Sequence, residues 1–190
     1  MVFTENDSSY SLQAEVINSP EEINSGLWLV IAGIDGIPPH IALINEGRYF
    51  SVSAKRVEAG IPLQNFLKAI SKRSVPTVFI QLKNVGNKTD LLKSCFEKYP
   101  TLGNGDHSCL WPIRDFSAQS YSEKYRKSEF VFELLAMAQK DNLILVCKSL
   151  YIDSLISSPP QMGRWGGAIV LSKYNHSQIR ERINSILKVT

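Results

Sequence analysis

Residues 27–34, LWLVIAGI, are apolar almost without interruption, and this run constrains the fold more than any other stretch. It falls well short of the roughly 20 residues that a membrane span requires. It also lacks the polar alternation of a strand with one wet face, so it reads as a central strand covered on both faces. Gly33, Gly36, Pro38 and Pro39 end it, because consecutive prolines supply no ladder donors and cannot run on into a helix.

The flanking sequence supplies partners for such a strand. Residues 40–45 and 48–53 alternate around Glu46-Gly47, a two-residue hairpin signal whose glycine tolerates positive φ, and His40, Ala42 and Ile44 share one face of the first of these strands. After Gly60 and Pro62, the residues Leu63, Phe66, Leu67 and Ile70 recur at helical spacing with Lys68, Lys72 and Arg73 outside. Residues 76–82 read as a strand and 90–99 as a second helix with Leu91, Leu92, Cys95 and Phe96 facing inward. Residues 100–107 form a loop by every local signal, and 109–113 are apolar but ambiguous.

The strongest helical pattern covers residues 122–140, with Phe130, Val131, Leu134, Leu135 and Ala138 on one stripe. Residues 142–146 read as a strand, 157–167 as a turn-rich loop and 168–171 as a short strand, after which Asn175 caps a last helix carrying Ile179, Ile183 and Ile186. At the other end residues 1–9 read as frayed, 10–17 as a strand with Leu12, Ala14 and Val16 on one face, and Ser19 as the cap of a brief turn opened by Pro20. Interleaved helices, strands and hairpins predict an α+β fold, a mainly antiparallel sheet flanked by helices, in a single domain over residues 1–190.

Composition narrows the function classes. With 44% hydrophobic and 21% charged residues the chain has the balance of a globular domain. Its 21 basic and 18 acidic residues leave a net charge of +3, scattered along the sequence and too weak to imply a nucleic-acid or anionic-membrane partner. The N-terminus carries no basic stretch followed by an apolar run, so a cytoplasmic location is expected. The three cysteines, Cys95, Cys109 and Cys147, form no C-x-x-C pair and read as free thiols.

His40 follows Pro39 at the start of a strand, where a side chain can be held rigidly and still reach a cleft; it reads either as a general base or as a structural histidine. Cys109 lies beside a glycine-rich loop with His107 and Arg114 nearby, a setting that suits a nucleophile, and equally it is a small hydrophobe next to Leu110 and Trp111. Cys95, His107 and Cys109 lack the paired ligand spacing of a zinc site, so no metal is expected. The Gly33–Gly36 turn is followed by two prolines where a dinucleotide site needs a helix start, and no cofactor is expected. Trp165, between Gly163 and Gly166, reads either as a lid over a pocket or as an aromatic plug.

The order of these pieces resembles the circularly permuted NlpC/P60 papain-like hydrolases over residues 27–138. In that family a histidine opens a strand, as in His40-Ile41-Ala42-Leu43-Ile44. A turn and second strand follow, then a Gly-Val/Ile-Pro-Leu element leading into a short helix, matched by Gly60-Ile61-Pro62-Leu63. The cysteine comes later, within Cys-Ser-Glu-Leu/Phe-Val at a helix start, where this chain reads Lys127-Ser128-Glu129-Phe130-Val131. The resemblance therefore implies a permuted papain-like fold with Lys127 at the nucleophile position. That implies a catalytically silent binding module whose cleft near His40 takes a small molecule or peptide, with Lys127, Trp165 and Ser51 as binding residues. The alternative is a cysteine hydrolase of amides or esters in which Cys109 attacks, His40 is the base, and Ser53 or Ser51 orients the imidazole.

Overall fold

A computed structural model describes residues 4–5, 9–84, 86, 88–100, 107–152, 168–179 and 181. Its centre is a seven-stranded sheet in the order β3-β9-β8-β4-β5-β6-β7. The strands are β3 (Glu15–Val16), β4 (Leu27–Ala32), β5 (His40–Asn45), β6 (Arg48–Val52), β7 (Val57–Pro62), β8 (Thr77–Leu82) and β9 (Ile144–Leu150). Every pairing is antiparallel except that of β3 with β9, so the sheet is mixed but mainly antiparallel. A small second sheet joins β1 (Thr4–Glu5), β2 (Ser9–Gln13) and β10 (Ala168–Ser172).

β4 lies in the middle, with all six of its residues buried. Leu27, Leu29 and Ile31 join a core with α2 (Thr89–Glu97), α3 (Trp111–Ser120) and α4 (Val131–Lys140), through Phe96, Ile113, Phe116 and Leu135. The alternate residues Trp28, Val30 and Ala32 pack on the other face with Leu63, Phe66 and Ile70 of α1 (Leu63–Ser71). Burying both faces of one strand removes a whole apolar run from water at about 25 cal/mol per Å², and it fixes the register, because a slip of one residue would exchange the two faces.

The hairpin joining β5 and β6 turns at Glu46 and Gly47, with φ of 47° and 68°. Both central residues are left-handed, as a type I′ turn demands. Ser19 caps the 3-10 turn Pro20–Ile23 by accepting the Glu21 amide, and Asn175 Oδ1 accepts the Gln178 amide at the start of the helical segment that begins at His176.

Several expectations need correction. The strand read over 10–17 is two strands in two sheets: Ala14 is the joint, and Val16 is 45% exposed while Leu12 is fully buried. Gly60 and Pro62, set in the sequence as a break before the helix, belong to the edge strand β7 (Val57–Pro62), with a bulge opposite Tyr49/Phe50 and Gly60 at φ 88°; an edge tolerates the glycine and the terminal Pro62 because no further strand pairs there. The ambiguous 109–113 leads into α3. The helix read over 122–140 is a 3-10 turn, Glu123–Lys127, separated from α4 by extended backbone at Ser128 and Phe130. Among the described residues no helix is long and apolar enough to cross a membrane.

Candidate functional site

β4, β5 and β6 stop at one end of the sheet, where Ala32 pairs with His40 in the last rung. Beyond that end opens a cavity of about 440 Å³. The β4–β5 connection contributes Asp35 and Pro39, and the turn after β6 contributes Ser53 and Ala54. Opposite them stand Ser108, Cys109 and Leu110, ahead of α3, and Glu129, ahead of α4. Tyr174 and Ile179 close the remaining side.

His40 and Cys109 thus border the same space, but strand parity separates their side chains. His40 shares the face of Ala42 and Ile44, and the latter pairs directly with Tyr49; Ala42, Ile44 and Tyr49 belong to the α1-side core. There the His40 Nε2 lies 3.2 Å from the Tyr49 hydroxyl, and the small Ala42 between them leaves room for the two rings to meet. Cys109 packs on the opposite core, with Ile41 and Leu43. Among the described residues no hydrogen bond joins the Cys109 sulfur to His40.

Electrostatics point the same way. Burial lowers the His40 imidazole below its ordinary value, and Glu58 only partly opposes this. Burial raises the Cys109 thiol, against the opposing effect of the Ile41 amide directed at the sulfur. Both shifts favour the uncharged forms, the reverse of a thiolate–imidazolium pair. The Tyr49 phenol is also raised by burial and stays protonated.

The remaining expected residues have their own partners. Ser53 closes a local turn: its Oγ accepts the Lys55 and Arg56 amides and donates to the Arg56 carbonyl. Ser51 is buried and donates to Glu58 Oε2 at 3.1 Å, and Glu58 in turn pairs with Arg56. Lys127 is exposed at the end of its 3-10 turn and does not border the cavity, whereas Glu129, two residues on, does. Trp165 lies outside the described residues. The His107 ring lies 4.7 Å from Trp111 and 5.2 Å from Tyr99 between ring centres, and among the described residues its buried Nδ1 has no partner. Among the described residues no three metal-ligating side chains gather.

Sequence reasoning missed Tyr49 as the partner of His40. The hairpin carried the signal, since a two-residue turn at Glu46-Gly47 sets Tyr49 opposite Ile44 and therefore on the His40 face. Glu129 was hidden because the break before α4 leaves no mark in the apolar stripe. Asp35, Tyr174 and Ile179 come together only through the tertiary fold. Comparison with protein-family models, with curated proteins and with solved structures gave no match.

Proposed function

We propose that the chain is a catalytically silent binding module of the permuted papain-like kind, holding a small molecule or peptide segment in the cavity at the ends of β4, β5 and β6. The observation that carries this reading is that the His40 ring is engaged by Tyr49 on the far face of the sheet, while Cys109, whose thiol burial raises, lines the cavity. The family likeness rests on the sequence stretches alone; of the Lys127–Val131 stretch, Glu129 lines the cavity that His40 borders and Lys127 does not.

The second reading is a cysteine hydrolase. It is favoured by the position of Cys109, in the turn that leads into α3 and on the same cavity as His40. Alkylation by iodoacetamide, followed residue by residue across pH, separates the two. For a silent module Cys109 reacts more slowly than free cysteine at pH 7, since a raised thiol leaves less thiolate, and His40→Ala leaves that rate unchanged. Fast labelling near neutral pH that collapses in His40→Ala would sink the silent-module reading in favour of the hydrolase.

A further inference from the structure

We infer that the cavity selects ligands that join an apolar body to a cationic head, such as a substituted ammonium or an amidinium. The inference rests on the binding-module reading and adds the chemistry of the occupant. Ile41, Leu110, Pro39 and Ile179 give an apolar wall, and Tyr174 adds an aromatic ring. Charge is confined to Asp35 and Glu129, and among the described residues that border the cavity there is no lysine or arginine. Burial lowers the His40 imidazole and so disfavours the cationic form that would offset the two carboxylates.

Lys55, Lys127 and Lys173, which neighbour lining residues in the sequence, do not border the cavity. Lys127 is exposed two residues before Glu129 and borders no part of the space. Lys173, adjacent to Tyr174, places its ammonium over the Phe132 ring, 5.6 Å from its centre. Asp35 is exposed and has no ion-pair partner among the described residues. Glu129 is held by His176, whose Nε2 lies 3.1 Å from Oε2, a contact that is an ion pair only with the imidazole protonated. A negative rim on an apolar cavity, in a chain whose net charge is +3, is a local feature rather than a reflection of overall charge. An ammonium entering there exchanges water for carboxylate oxygens and an aromatic ring, whereas a carboxylate would meet like charge in a partly desolvated site.

Calorimetric titration with hexyltrimethylammonium, 1-hexanol and hexanoate, matched in chain length, tests this at about pH 8, above the range of an ordinary imidazole. The cation is expected to bind most tightly and hexanoate most weakly. Glu129→Gln and Asp35→Asn should each weaken the cation about two- to five-fold, as for solvent-accessible charge pairs, and leave 1-hexanol unchanged. Ala54→Trp, which fills the space from its rim, should weaken all three. Hexanoate binding as tightly as the cation, or carboxamide variants that do not distinguish cation from alcohol, would overturn the charge selectivity and leave the cavity reading standing. Absence of binding by all three probes would overturn the cavity reading and this inference with it.

Discussion

His40 is held to the Tyr49 side chain by one hydrogen bond. Its Nε2 is joined to Tyr49, and the Tyr49 ring stacks on Phe66 of α1 with centres 4.3 Å apart and planes 11° from parallel. Tyr49→Phe keeps the stack and removes the hydroxyl, leaving a partly buried ring nitrogen unpaired. Urea unfolding should show a loss of about 1 to 2 kcal/mol. The lowered imidazole also predicts a pH slope. Between its ordinary value of 6.5 and the lower folded value the unfolded chain binds the proton and the folded chain does not, so stability is full above this window and falls as pH drops through it. His40→Gln should flatten that slope in unfolding curves recorded from pH 7.5 down to about pH 5; an unchanged slope would mean that another group supplies it.

Among the elements, the β5–β6 hairpin is the most fully written into the sequence, since Glu46-Gly47 specifies both the turn and the register. Gly47 has φ 68°, and a Cβ there would come 2.8 Å from the Asn24 side-chain oxygen. Gly47→Ala therefore adds left-handed strain of about 1 to 2 kcal/mol to a clash with Asn24, and a matching drop in the urea midpoint is the expected result. Other elements are illegible for identifiable reasons. β7 carries a glycine and a proline, which locally signal a break and which only its edge position renders harmless. α3 buries Asp115 and Ser117 on its inner side, so no clean apolar stripe announces it. Ahead of α4, the Glu133 carboxylate accepts the Glu129 and Phe130 amides, an N-terminal cap formed from within the helix that marks a boundary no hydrophobic periodicity can show.

At the scale of the molecule, α2, α3 and the 3-10 turn Glu123–Lys127 are fastened to one another through a carboxylate. Asp115, whose side chain is 4% exposed, receives Lys98 and Tyr99 on one oxygen, at 2.7 and 2.6 Å, and Arg126 on the other at 2.7 Å. Burial alone would raise this carboxyl, but the hydrogen bonds from Lys98 and Tyr99 and the charges of Lys98 and Arg126 outweigh it and hold it below the ordinary range. Its stabilisation is therefore present above the ordinary carboxyl value of 3.8 and disappears as pH falls through the lower folded one. Asp115→Asn should cost about 2 to 3 kcal/mol near neutral pH and move the acid-unfolding midpoint upward, both readable by circular dichroism. None of Lys98, Tyr99, Asp115 and Arg126 borders the cavity, which meets the sheet at Ala32, His40 and Ile41 and takes its other sides from connections beyond the strand ends. On the binding-module reading, replacing the turn after β6 should alter what the cavity accepts while the frame that carries it keeps its packing. If the cavity is a binding site, descendants of such a chain would change ligands by exchanging that exposed turn, and a laboratory library confined to it should retain folded members at high frequency.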